Sequence, residues 1–302
     1  MDQTLEIAAR QAGGLAPDTP PDVALRQIVS ECHADFLKFR TVVLLNRRPI
    51  GIHQTRVALR RMRAAFSLFR GAVDGSAERR RARSLAAEAK WLAGECAPAR
   101  DLQVFLSETV IEVPPLVRRV ANRVARAHLE RARSALSGAR FTAFDRELTA
   151  FTEPRPSAAS RRLDDFGRPL LDQHHDKIQR RAHRLGSLDG ARLHRLRIAI
   201  KKLRYAASFL RPAFGSPAFA PGPANAYIEA TVRLQGALGA LNDRAVAAHM
   251  MADIAVAARP TEDVAKPLRN LAKQAASGDK QRRRKLQRAW KRFRAAGRFW
   301  QM

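Results

Sequence analysis

Cysteine, acid and long apolar runs are all scarce in this 302-residue chain. The two cysteines, Cys32 and Cys96, show no CxxC or Cys/His ligand spacing, which argues against a disulfide framework and fits a reducing cytoplasm. No run approaches the roughly 18 apolar residues of a membrane span. The opening Met-Asp-Gln-Thr-Leu-Glu lacks the basic start and apolar stretch of a secretory signal, so the chain reads as cytoplasmic. No segment alternates like a strand. G-x-x-x-x-G-K-[ST], HExxH and paired carboxylates facing cations are all missing, so neither a phosphatase nor a kinase is expected, and no metal or cofactor is implied. Carboxylates are the most telling shortage. Against 56 Lys+Arg there are 28 Asp+Glu, giving a formal net charge of +28 and a pI near 11.6. Such a balance points to a polyanionic partner: nucleic acid, an anionic membrane surface or an inorganic polyanion. With 46% apolar residues the chain can still build a core, so the charge is not a mark of disorder.

What is present is a segment written twice. His53-x-x-Arg56-Val57-Ala58-x-Arg60-Arg61-Met62-Arg63 returns 141 residues later as His194-x-x-Arg197-Ile198-Ala199-x-Lys201-Lys202-Leu203-Arg204. At about 100° per residue, His53, Arg56, Arg60 and Arg63 fall on one helical stripe, while Leu59, Met62, Phe66 and Phe69 fall on another. The second copy places His194, Arg197, Lys201 and Arg204 against Ile200, Leu203, Ala207 and Leu210. Each copy thus predicts an amphipathic helix with a row of cations roughly 15 Å long. A solvated face normally mixes Glu with Lys or Arg at i,i+4, because such pairs stabilise a helix and like charges do not. Neither His53 to Arg70 nor His194 to Arg211 contains a carboxylate, which suggests an external anion as the counter-charge. Guanidinium, ammonium and imidazole all suit phosphate oxygens. Arg61 and Lys202 lie about 120° from the stripe centre and are expected to flank it.

The remaining pattern predicts an all-α chain. Residues 1–20 read as a flexible N-terminal segment, 21–150 as a first four-helix half, 151–161 as a Pro-rich linker and 162–302 as a second four-helix half with a basic C-terminal helix. Helices are expected over about 22–46, 52–71, 77–109, 115–150, 162–187, 190–211, 225–257 and 262–277. Arg47-Arg48-Pro49 should form a turn, and Pro212 to Pro223 a long loop. Sliding one half over the other without gaps pairs His33 with His174 and Asp35 with Asp176. One residue further, Arg100-Asp101-x-x-Val104 pairs with Asn242-Asp243-x-x-Val246. This suggests an internal duplication with two pseudo-two-fold-related four-helix bundles around a basic central groove. Arg100, Asn242 and Arg244 could extend the groove, Asp101 and Asp243 would orient arginines, and His33 and His174 are weaker repeats. From Lys280 to Arg298 stand ten Lys/Arg residues. Leu286, Trp290 and Phe293 at i,i+4,i+7 predict that this helix docks by its aromatic side with the cations outside.

The doubled His-x-x-Arg-Val/Ile-Ala-x-Arg/Lys-Arg/Lys-Leu/Met-Arg pattern resembles the CHAD domain, a helical domain named for its histidines. The likeness extends over roughly 20–302. It includes Leu203-Arg204-Tyr205, Arg100-Asp101, Leu234-Gln235-x-x-Leu238-Gly239-x-Leu241-Asn242-Asp243 and the aromatic close from Trp290 to Trp300. The resemblance implies non-catalytic binding of inorganic polyphosphate in a groove formed by His53, Arg56, Arg60, Arg63, His194, Arg197, Lys201 and Arg204, often with recruitment to polyphosphate granules. The alternative is a nucleic-acid-binding or architectural protein using the same basic surface. Oligomeric state is not legible. Relatives are often fused to a triphosphate-tunnel catalytic domain; no strand-rich segment that could form one precedes these helices.

Overall fold

Proline and glycine set the helix ends, and the apolar stripes then set the packing. In a computed structural model that describes residues 15–45, 50–106, 113–157, 160–215, 222–276 and 278–302, without the side chains of 242–246 and 275–276, the chain is all-α. The helices are α1 Pro21–Leu44, α2 Ile50–Leu68, α3 Ser76–Glu95, α4 Ala97–Val104, α5 Pro115–Ser137 and α6 Ala139–Thr152, followed by α7 Leu163–Arg181, α8 Gly190–Leu210, α9 Pro223–Ala257, α10 Ala265–Ala276 and α11 Asp279–Ala295. Pro21, Pro115 and Pro223 occupy first-turn positions, where a missing N–H costs nothing. Asp189 caps α8 by accepting from the Arg192 backbone N–H at 2.7 Å.

Two expected helices are each broken in two. The 77–109 helix stops at Glu95 and restarts at Ala97, because Pro98 has no N–H for the continuing ladder and its ring clashes with the carbonyl one turn earlier. The 115–150 helix is interrupted at Gly138, whose extended backbone (φ −76°, ψ 169°) turns α5 into α6.

In the first half, α1 lies along α2, α2 along α3, and α5 with α6 takes the fourth place; in the second half the packed order is α7, α8, α9 and α11. Gly51 permits a close approach of α2 to α1, since a Cβ there would stand 3.0 Å from a Val42 methyl on α1. One hydrophobic core runs through both halves, from Leu25 and Phe36 to Phe293 and Trp300. The halves touch directly where α2 meets α8, and the Phe69 and Phe166 rings stack at 5.2 Å. A second, smaller core, including Leu102, Phe105, Val117, Met250, Ile254 and Leu268, joins α4 and α5 to the C-terminal end of α9 and to α10.

Segments expected to be loose are fastened. Leu15 is buried, and the Pro17 carbonyl accepts from the Asp164 N–H at 3.2 Å, so the last residues of the 1–20 segment are part of the fold. Residues 1–14, the Arg47-Arg48-Pro49 turn and the Pro217 to Pro221 part of the proline-rich loop lie outside the described residues. In the linker, Ser157 donates to Asp22 at 2.6 Å and Arg155 pairs with Glu78 at 3.1 Å. The loop beginning at Pro212 opens with a 3-10 turn over Arg211–Phe214.

Candidate anion site between the motif helices

The apolar stripes bury as their spacing predicts: Leu59, Met62, Phe66 and Phe69 from the first copy, and Ile200, Leu203, Ala207 and Leu210 from the second. Burying those faces brings the two motif helices together and leaves their cations at the contact. His53, Arg56, Arg60 and Arg63 are all half-buried; along α8 the exposure falls from exposed His194 through half-buried Arg197 and Lys201 to buried Arg204. The Arg60 Nε donates to the Tyr205 hydroxyl at 2.7 Å, a direct bond from one copy to the other.

Lys201 stands at the centre of this contact. Burial, followed by the charges of Arg197, Arg60, Arg204 and Arg56, pushes its ammonium down to about 7 from the usual 10.5. Five of the predicted residues, contributed by both copies, therefore share one positive site, and Arg63 joins it through the charge of Arg60. The field is strong enough that Tyr205, whose ionisation burial opposes, is nonetheless lowered overall by Arg60, Arg204 and Arg61. Among the described residues, Asp101 on α4 reaches the cluster, with Oδ1 3.6 Å from Arg56 Nη1. This ion pair joins α4 to the first motif helix. The Arg204 guanidinium lies over the Tyr205 ring at 4.8 Å, and its buried Nε has no hydrogen-bond partner. Guanidinium and ammonium groups gathered in this way are charge-assisted donors of the kind that suit an anion.

The model of the CHAD domain family matches residues 27–252. The chain belongs to that family. Among solved structures it is similar to the CHAD domain from the plant Ricinus communis, with a TM-score of 0.76 and 25% identity over 94% of this chain and 95% of that one. It also shares its fold with PptA from Streptomyces chartreusis, with a TM-score of 0.63 and 18% identity over 94% and 100% of the two chains. No curated protein matches.

Around the central cluster of this CHAD domain the secondary candidates separate. Arg56 is lowered chiefly by burial, with Arg100 adding a smaller electrostatic push, and the Arg100 Nη1 donates to Gln103 at 3.2 Å. Arg61, expected to flank the site, is instead a packing residue: it is 3% exposed and its guanidinium lies 5.4 Å from the Phe209 ring centroid. Its counterpart Lys202 is exposed and donates to Ser67 Oγ at 3.3 Å. Beside it, burial and the charges of Lys202 and Lys177 push His174 down to about 4, leaving that imidazole neutral at pH 7. His33 does not join the cluster. Its Nε2 meets Asp145 at 2.6 Å and ties α1 to α6. The buried histidine of the second half is His175, bonded to the Tyr227 hydroxyl at 2.7 Å and stacked on Phe293 at 5.4 Å. The side chains of Asn242, Asp243 and Arg244 lie outside the described residues.

Sequence reasoning missed Tyr205 as the bridge between the copies and did not follow the first stripe to its next cation. The i,i+3/i+4 stripe, continued past Arg63 through Ser67, leads to Arg70. Tyr205 left no such signal, because its partner sits on the other copy. The C-terminal run docks by its aromatic side: Leu286 and Phe293 are buried, Trp290 packs half-buried against the core, and Phe299 and Trp300 beyond it are buried, while Arg283, Arg284, Arg288 and Lys291 are exposed. Among the described residues, no group of three or more His, Cys, Asp or Glu could hold a metal ion, and no helix is long and apolar enough to cross a membrane.

Proposed function

We propose that this protein binds inorganic polyphosphate, without turning it over, along the cations shared by α2 and α8. The observation that carries the reading is the convergence of Arg56, Arg60, Arg197, Arg204 and Lys201 from the two copies, where burial first and the neighbouring guanidinium charges second depress the lysine. Membership of a family associated in general with polyphosphate binding supports the same ligand. A paired set of half-buried cations suits a flexible phosphate chain laid between two helices. It does not present a protruding recognition helix to a duplex groove. Binding without turnover fits the described residues, among which Asp101 pairs with Arg56 and no group of three or more His, Cys, Asp or Glu could hold a metal ion. In cells the same binding would draw the protein to polyphosphate granules.

The decisive experiment is competition at physiological salt, with long-chain polyphosphate set against duplex DNA and single-stranded RNA. Polyphosphate should win; a tenfold preference for either nucleic acid would favour the architectural reading instead. Release of orthophosphate from the bound chain would contradict the non-catalytic part. Imaging in cells unable to make polyphosphate tests recruitment, and foci that persist there would exclude polyphosphate as the signal.

A further inference from the structure

Beyond the shared cluster, the C-terminal end of the first motif helix opens into a cavity of about 180 Å³ between α2 and α3. Arg63 from α2, Arg70 from the 3-10 turn Arg70–Ala72 that follows it, and Arg79 and Arg83 from α3 line it. Behind them the wall is apolar, formed in part by Phe66, Val73 and Ala82, all buried. Ser67, also in the lining, carries Lys202 from the second copy at 3.3 Å, and Lys202 in turn feels the charge of Arg70.

The acids of α3 are turned the other way. Glu78 pairs with Arg26, Arg81 and Arg155, Glu88 with Arg140, and Glu95 with Arg131. Among the described residues no carboxylate pairs with Arg63, Arg70, Arg79 or Arg83. Arg79 and Arg83 are one turn apart, so they repel each other along the helix with no internal compensation. Their stems can lie against the apolar wall while the guanidinium heads point at one small volume, where a low-dielectric lining strengthens every contact. Arg63 belongs both to this cavity and, through Arg60, to the central cluster. The positive path between the helices therefore leads into a recess backed by apolar side chains.

We propose that this cavity is an end site: it takes the terminal phosphate of a phosphoanhydride chain, while the α2/α8 cluster takes internal phosphates. The chemistry that separates the two is charge. An internal phosphate carries one negative charge, whereas a terminal one has a second ionisation near pH 6 and approaches two charges at neutral pH. A recess holding four guanidinium groups and edged by Lys202 favours the doubly charged end. The assignment of a chain end, and not of a free phosphomonoester, follows from Arg63, which links the recess to the site of the preceding phosphates. The inference rests on the polyphosphate reading above.

The test uses the intact protein and chains of about twenty phosphates, either free at both ends or blocked at both ends as neutral-substituted phosphoramidates. At equal phosphorus concentration, wild type should bind free chains about tenfold more tightly than blocked ones, a difference of the size expected for losing two charge-assisted contacts at a partly exposed site. Arg79→Ala with Arg83→Ala should erase that difference while leaving the blocked-chain affinity unchanged. Both arginines are exposed and alanine favours the helix, so the fold is preserved. Equal wild-type affinity for free and blocked chains would overturn the end site and leave the central cluster intact. Loss of binding to both chains would instead mean that the polyphosphate reading has failed. Glycerol phosphate is the third arm. If it displaces free chains as readily as short linear polyphosphate does, the recess is a phosphomonoester site and the chain-end assignment is wrong.

Discussion

The motif cluster and the C-terminal helix are equally basic to the eye, yet they hold their charge in opposite ways. Along α11, Leu286 and Phe293 bury, while the cations between them stand in water. Nearby Arg298 is neutralised at 2.9 Å by both Asp172 and Asp176. At the α2/α8 contact, by contrast, Arg56, Arg60, Arg197, Lys201 and Arg204 share a partly buried space, into which, among the described residues, Asp101 reaches at 3.6 Å from Arg56. Charge density in a sequence therefore says little until burial is known. Solvated cations repel weakly and can be removed cheaply, whereas clustered, desolvated cations destabilise the free fold and bind an anion strongly in compensation.

The largest expected effect breaks the packing side of this comparison. Trp300 is fully buried, donates from Nε1 to Asp172 at 3.0 Å and meets Tyr227 edge-on at 5.0 Å. Trp300→Ala should cost about 3–5 kcal/mol of stability in denaturant unfolding; a loss under about 1 kcal/mol would mean that the C-terminal segment is not part of the core. Next, Arg56→Ala with Arg197→Ala should weaken polyphosphate binding about 100-fold by titration calorimetry, the size expected for two charge-assisted anchors. In the same assay Arg283→Ala with Arg284→Ala should change affinity less than about threefold. Equal losses from the two double variants would show that diffuse charge, not the cluster, governs binding.

Two smaller effects concern Lys201. Its ammonium is held at about 7 in the free protein, and a bound anion favours the protonated form, so binding takes up a proton. Affinity should fall about three- to tenfold as pH rises from roughly 6 to 8.5. Lys201→Arg should flatten that profile; an unchanged slope in the variant would assign the titration to another group. The sign for stability is the reverse. An unfolded chain keeps its lysine protonated to about 10.4, so the ligand-free fold gains stability as pH climbs from about 7 towards that value. Lys201→Met should accordingly raise the melting temperature at pH 7 by about 2 °C while weakening polyphosphate binding.

Helical periodicity made most of this fold legible, because an apolar stripe at 3.6-residue spacing has few ways to bury other than those seen for Leu59, Met62, Leu203 and Leu210. It also placed the cations of both motifs on their helices. What it could not supply was the depth at which each repeated residue would sit. Arg61 and Lys202 occupy the same place in the two copies, but α2 is clamped between α1 and α8, so Arg61 is covered by Phe209 while Lys202 remains exposed. The division of the 77–109 helix was readable from Pro98 alone. The smaller core of α4, α5, α9 and α10 was not, since its contributors are more than 100 residues apart and each reads as a continuation of a longer helix.

That second core has a kinetic consequence. The halves are joined once at α2 and α8 and again through α4, α5, α9 and α10, so rotating one half away from the other would have to open two apolar contacts at once. On the polyphosphate reading, the cations shared by α2 and α8 are accordingly in place before the ligand arrives. Association should then be a steered, salt-sensitive encounter with no slow opening step, and release a progressive peeling of one phosphate after another, so that residence time grows with chain length while the arrival rate stays nearly constant.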